Sequence, residues 1–244
     1  MTNQTIDTLM SHRSTRKFTD EPIPDDVVET IASAGFAAST SNNIQAATAI
    51  RVRDSGKRAA IAALAGGQQY VTTCAAFLVW CADLHRSAEA CKLGGGIFEP
   101  GMTEHMVIAT VDAALAAQNA AVAAESNGLG ICYIGGIRND PAQMTSILNL
   151  PAQVFPVFGM CIGVPAEEVP LKPRLPLSVT LKEETYDNAD DEKHLRDYDA
   201  VMREYYTDRG AANRSWIADM SKLLGKESRP HMKAFLNSQN LGTR

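Results

Sequence analysis

The longest apolar pattern in the chain covers residues 103–127 and is filled mostly with alanine. It reads as one helix, with Thr103 placed to cap the start and Gly128 to end it. At ~1.5 Å per residue such a helix is about 36 Å long. It is apolar around most of its circumference, and in a soluble protein a helix of that kind is buried, often against a second subunit. Glu104, His105, Asp112, Gln118, Asn119 and Glu125 interrupt the pattern. That leaves no uncharged stretch of the ~20 residues a membrane span needs, so a buried helix is the reading taken and no membrane is expected.

Shorter patterns fill in the rest. Residues 6–10 predict a short amphipathic helix leading into a basic run, and residues 24–38 a second one. Pro24 suits that helix's first turn, and Asp25, Asp26 and Glu29 favour its positive end. The compact apolar run at 77–81 (FLVWC) predicts a buried strand, and 154–163 another with Pro156 near its beginning. Asp140, Pro141 and Gln143 have the spacing of a helix start. Four prolines within residues 164–176 exclude regular sheet or helix and predict an extended surface arm near 164–186. A charged helix at 190–207 opens a helical excursion near 190–226, and 228–240 predicts a last helix. Helices and strands mix without strict βαβ alternation. The fold class expected is therefore α+β, as one domain over 1–244.

Composition narrows the function classes. With 244 residues and 45% hydrophobic content the chain can bury a sizeable core. The formal net charge of −5 gives no global grip on nucleic acid, so an anion site must be a local basic cluster. Cys74, Cys81, Cys91, Cys132 and Cys161 include no C-x-x-C pair and are read as core thiols in a reducing compartment. Residues 1–7 are polar with no apolar stretch behind them, so no signal peptide and a cytoplasmic location are expected. His85, His105, His194 and His231 lack paired ligand spacing, and no metal is expected.

The strongest local signal is His12-Arg13-Ser14-Thr15-Arg16, cationic groups and hydroxyls suited to phosphate oxygens. Read alone, it is as compatible with a solvated basic face. Lys172 and Arg174, held extended by prolines, form a second cluster. The hydroxyls and amides of Ser39 to Asn43, with Gln45 beyond, suit a polyol or a heterocycle edge, or simply a loop ending a helix. Gly66-Gly67-Gln68 and Tyr133-Ile134-Gly135-Gly136 are glycine turns, which let backbone approach a flat ligand. Gly128-Leu129-Gly130 fails as a dinucleotide fingerprint, because Tyr133 stands in the place of the third glycine and a helix precedes the motif.

In their order and spacing, several of these segments resemble one family. HRSTRKFTDEPIP, the serine-rich turn, GGQ at 66–68, the helix with Asp112, Gln118-Asn119-Ala120 and Glu125-Ser126, YIGGIRN, LKPRLP, YYTDRG and KESRP are similar to those of the nitroreductase family, in its oxygen-insensitive NADPH nitroreductase and flavin reductase P subgroup. The resemblance runs from about residue 6 to residue 244. It implies a central, mostly antiparallel sheet with surrounding helices and an intertwined homodimer with FMN at the subunit interface. It also implies that His12, Arg13 and Ser14 hold the FMN phosphate with Lys172 and Arg174, and that Arg16 faces the pyrimidine edge. Ser39, Ser41 and Gln68 are implied as ribityl and ring contacts, and Tyr133, Ile134, Gly135 and Gly136 as the backbone beside the ring. Arg209 and Arg214 are implied at the NADPH site, and Arg229 is a further candidate for the rim of that pocket. One departure bears on substrate range: Asn42 and Asn43 stand where relatives commonly carry a serine and a bulkier residue.

The implied activity is electron transfer from NADPH, by ping-pong hydride transfer through FMN, to nitroaromatic, quinone or flavin acceptors. Such chemistry needs positioning more than acid–base residues, so no catalytic pair is expected in the chain, and Arg16 and Gly135 are expected to tune the flavin. Three alternatives stay open: a free-flavin or quinone reductase with nitro reduction as a side activity, a non-catalytic flavin-binding module, and a different FMN reaction such as dehalogenation or flavin breakdown.

Overall fold

The computed structural model describes residues 3–244, which form two compact units. The first comprises residues 3–169 and His231–Arg244; the second is Pro170–Pro230.

The first unit runs α1 (Gln4–Met10), α2 (Asp25–Phe36), β1 (Ala47–Arg51), α3 (Ser55–Leu64), α4 (Tyr70–Thr73), β2 (Ala76–Asp83), α5 (His85–Leu93), α6 (Thr103–Ser126), β3 (Gly130–Ile134), α7 (Pro141–Leu148) and β4 (Val154–Gly163). The four strands form one antiparallel sheet in the order β1-β2-β4-β3. Every residue of β2 is buried, which is why its sequence is a continuous apolar run rather than an alternating one. Successive side chains still go to opposite faces. Phe77, Val79 and Cys81 join one core with Ile61, Val71 and Met144, while Leu78 and Trp80 join another with Ile31 and the alanines of α6. The sheet thus lies between two helical layers, and the expected α+β class with an antiparallel sheet holds.

Alanine in α6 is a packing requirement. A side chain at Gly35 of α2 would stand 2.9 Å from the Ala116 backbone oxygen and 3.1 Å from Ala120 Cβ. The two helices approach closely because neither carries bulk at the crossing. By length and composition alone α6 is apolar enough to cross a membrane, but Ala109, Ala113, Ala117, Ala120 and Ala124 are spent against the sheet and α2.

Some sequence expectations change. Thr103 does not cap α6; Met102 occupies that position, and the Thr103 hydroxyl and amide both donate to the Arg244 carbonyl, at 3.0 and 2.9 Å. Arg244 therefore anchors the start of α6. The last helix, which we number α11, is Met232–Ser238, shorter than expected. Pro230 disfavours helical backbone at the residue before it, and Arg229 has φ of 51°. The periodicity did not single out β1, β3, α3, α4 or α5.

The second unit contains α8 (Leu177–Thr180), α9 (Asp191–Asp208) and α10 (Trp216–Leu224). The expected arm is free of regular structure except for the single turn of α8. Tyr198, Met202 and Tyr206 of α9 form the unit's core, with Leu175 and Trp216 against them. Asp199 is its one buried carboxylate. It accepts from the Ser215 hydroxyl (2.7 Å), the Ile217 amide (2.9 Å) and Arg203 Nε (2.8 Å), so it fastens the start of α10 to α9. Burial alone would raise its pKa. The Ile217, Ser215 and Arg203 hydrogen bonds outweigh that and hold it below the usual carboxylate value.

A lowered folded-state pKa means the stabilisation is present at neutral pH and is lost as pH falls through the carboxylate range. Asp199→Asn should therefore cost roughly 1.5–3 kcal/mol at pH 7. The gap from the parent protein should shrink as pH approaches 3. A thermal-melt difference that does not change between pH 7 and 3 would contradict this account.

Candidate functional site

The basic segment 12–16 is laid along the free edge of β3. The Thr15 amide donates to the Ile131 carbonyl at 2.8 Å, and Ser14 forms a parallel bridge with Ile131. Thr15 is buried, so the segment's hydrophilic neighbours are held at the sheet rim. His12 Nδ1 lies 2.7 Å from Glu125 Oε1 at the end of α6, which commits one ring nitrogen and leaves the other for a ligand. Arg16 is exposed, with Nη1 donating to the Ser14 carbonyl at 3.3 Å, and it lies against the hydroxyl of Tyr70. Burial pushes the Tyr70 phenol upward in pKa, Cys132 adds to that, and Arg16 partly opposes it.

The turn after α3 meets β3 at the same place. Gly66 and Gly67 have φ of 86° and 77°, values a side chain would make strained. Gly136 packs against the turn's entrance. A Cβ there would be 2.6 Å from the Ala65 carbonyl oxygen, so the backbones touch. Gln68 follows, with a buried Oε1 that has no hydrogen-bond partner. A buried amide oxygen without a partner is costly, which makes Gln68 a candidate to accept from a ligand. Tyr133 is fixed by an edge contact to Phe158, 5.0 Å between centroids, and its hydroxyl donates to Gln118 of α6 at 3.3 Å. Burial, reinforced by the Glu125 charge, raises its pKa. Ile134 is fully buried, and the Arg138 guanidinium packs on Gly135 while donating to the Val157 carbonyl.

Not every residue implied by the sequence joins this group. Arg13 lines a cavity of about 430 Å³ with Thr15, Glu125, Glu167 and Glu168, and its buried Nε has no partner. Ser39 and Ser41 are exposed on the loop entering β1, the opposite edge of the sheet. Three strand spacings of ~4.8 Å put the two edges roughly 14 Å apart. That loop carries three left-handed non-glycine residues, Asn42, Asn43 and Gln45. Buried Asp112 of α6 clamps both its ends, accepting from the Ser41 amide at 3.4 Å and the Ala46 amide at 2.9 Å.

The remaining cations lie in the second unit. Lys172 and Arg174 line a cavity of about 460 Å³ with Tyr198 and Trp216, and Lys172 Nζ stands 5.8 Å from the Tyr206 ring centroid. Arg209 follows the last residue of α9, over Tyr205 at 5.7 Å. Arg214 lies over Tyr206 at 4.5 Å, with Nε donating to Asp219 at 2.6 Å. Arg229 is half-buried near the end of the unit. Sequence reasoning missed Tyr70, Asp112, Glu125, Arg138 and Asp219 as site-forming groups. Asp112 and Glu125 left a trace as polar interruptions of an apolar helix, and Arg138 as part of YIGGIRN, but none was given a role.

The β3 rim therefore gathers an exposed guanidinium, an imidazole, an unpartnered amide oxygen and tightly packed glycine backbone. These suit a flat, hydrogen-bonding, anionic ligand, and an FMN fits that donor set.

Comparison with known proteins agrees. The model for "Nitroreductase family" matches residues 9–164, and that for "Nitroreductase family, C-terminal domain" matches residues 172–244. The chain is 42% identical over 246 residues to an NADPH-flavin oxidoreductase of Vibrio harveyi, covering 99% of this chain and 100% of that one. It is 42% identical to an oxygen-insensitive NADPH nitroreductase of Salmonella typhimurium, covering 98% and 99%. The solved structure of the Vibrio harveyi NADPH:FMN oxidoreductase complexed with NAD+ superposes with a TM-score of 0.92 at 41% identity, covering 99% of this chain and 100% of that one.

The contact between Gly136 and Ala65 gives a direct test. Gly136→Ala should lower stability by ~1–3 kcal/mol, because the added methyl forces backbone apart. Thermal melts of the two proteins check this, and an unchanged melting temperature would show that the two turns do not touch.

Proposed function

The chain belongs to the nitroreductase family, and on that premise we propose that it is an FMN-dependent oxidoreductase that takes electrons from NADPH. Its acceptors are small molecules, with nitroaromatics, quinones and flavins as the proposed class. The observation that carries this reading is the meeting of segments 12–16, 66–70 and 133–136 at one edge of the sheet, with Gln68 Oε1 unpartnered there.

Bound FMN supplies a two-electron carrier between donor and acceptor. The chain supplies position and charge. In the proposed arrangement His12 and Ser14 would grip the phosphate, and the Glu125 contact keeps the His12 ring oriented for it, whereas Arg13 faces the separate acid-lined cavity. Arg16 offers a fixed positive charge to the pyrimidine edge, where negative charge is stabilised on reduction. Gln68 and the Tyr133–Gly136 backbone would hold the ring. Arg209 and Arg214 are the proposed ligands of the NADPH 2′-phosphate, and Arg229 a further group at that site.

The same reading calls for two subunits. Ser39 and Ser41 are proposed ribityl and ring contacts, yet they lie at the β1 edge, across the sheet from Arg16. A homodimer in which one subunit offers its β3 rim and the other its 39–45 loop reconciles the two. Exposed Val107, Val111 and Leu115 of α6 support this, since they are 51%, 49% and 43% accessible and form one apolar stripe. A cytoplasmic location is proposed with it.

Two measurements check the reading. Purified protein should release FMN, not FAD, near one per chain, and should consume NADPH faster when a nitroaromatic or quinone is added. Arg16→Ala should lower kcat/KM for every acceptor by the equivalent of ~1.5–3 kcal/mol. Bound FAD, or unchanged kinetics in Arg16→Ala, would count against it. Leu115→Glu should give a monomer in sedimentation that has lost FMN; a monomer that keeps its flavin and activity would remove the shared site.

A further inference from the structure

Arg214 is held on two sides before any nucleotide arrives. The Tyr206 ring lies under its guanidinium at 4.5 Å, and Asp219 accepts from its Nε at 2.6 Å. The Tyr206 hydroxyl reaches the same Asp219 oxygen at 3.5 Å, so ring, carboxylate and guanidinium form one cluster. No other hydrogen bond is made by the guanidinium among the described residues, so its Nη1–Nη2 edge is open. The Arg214 side chain is 54% accessible and that of Asp219 29%. An ion pair this exposed adds little to stability, and its consequence is geometric. The backing is rigid: Ser215 caps α10, donating its hydroxyl to buried Asp199 and accepting from the Ala218 amide. Asp219 is therefore fixed in the first turn of a helix that is itself fastened to α9.

We propose that Asp219 is the positioning residue for recognition of the NADPH 2′-phosphate, holding Arg214 by its Nε so that the planar Nη edge faces the phosphate. The proposal rests on the reading of Arg214 as a ligand of that phosphate. A free arginine loses rotamer freedom when it grips an anion, and an arginine already immobilised loses less. An Nη1–Nη2 fork also matches two phosphate oxygens at once. The Asp219 charge opposes the phosphate, but it does so from the Nε side, behind the recognising edge.

The test uses flavin-loaded enzyme and two non-reducing probes, adenosine 2′,5′-bisphosphate and adenosine 5′-phosphate, titrated by calorimetry beside steady-state kinetics with NADPH and NADH. Asp219→Ala should weaken the bisphosphate on the order of tenfold and raise the NADPH KM to match. Affinity for the 5′-phosphate and the NADH KM should stay within about twofold, and kcat should not move. Asp219→Asn keeps an oxygen for Nε and should retain the parent discrimination. Equal losses for both probes, tighter bisphosphate binding in Asp219→Ala, or Asp219→Asn behaving like Asp219→Ala would each overturn the proposal. Arg214→Ala separates the two levels. If it abolishes discrimination while Asp219→Ala leaves it intact, the positioning role alone fails. If Arg214→Ala leaves discrimination intact, the assignment of Arg214 fails and the proposal with it.

Discussion

The close seating of α6 against the sheet is the constraint on which the site depends. Alanine at positions 113, 116, 117, 120 and 124 lets the helix approach the strands and α2 at backbone distance. Three polar side chains on the same helix then reach three separate pieces of the site. Asp112 clamps the loop that bears Ser39 and Ser41, Gln118 accepts from the Tyr133 hydroxyl, and Glu125 holds His12. A bulkier helix would stand off from the sheet, and all three contacts would lengthen together. The helix is at once the spine of the core and the frame for segments far apart in sequence.

This arrangement explains what was legible beforehand. The polar residues that interrupt the apolar pattern at 112, 118 and 125 argued against a membrane span; in the structure each has a partner in the site. Period-2 patterning failed in β2 because both faces of that strand are covered, and apolar continuity took its place. β1 and β3 are five residues each; Thr48 and Arg51 break the apolar run of β1, and the four apolar residues of β3 are too short a run for periodicity to separate from a buried turn or helix segment. Thr103 looked like a cap by residue type, but the Arg244 carbonyl supplied its partner, a long-range contact that no local pattern carries.

The candidate site was legible as residue types rather than as geometry. The basic run, the glycine turn at 66–67 and the Tyr133–Gly136 segment were each weak alone, and their order along the chain gave the resemblance. What the sequence could not carry is which of them meet. The structure brings the β3 rim together around Gln68 and Arg16 and leaves Ser39 and Ser41 at the other sheet edge. Tyr70, Arg138 and Asp219 are ordinary residues in sequence. They matter through what they touch: Arg16, Gly135 and Arg214.

The central claim is that the β3 rim holds a flavin poised to take electrons from NADPH and to release them to a second molecule. Anaerobic rapid mixing tests it most directly, with flavin absorbance followed in two separate half-reactions. The account predicts that NADPH alone decolourises the bound flavin at a rate no slower than turnover, and that a nitroaromatic or quinone added afterwards restores the colour without nucleotide present. A bound flavin that keeps its colour with NADPH, or one that recovers only while nucleotide remains bound, would contradict it.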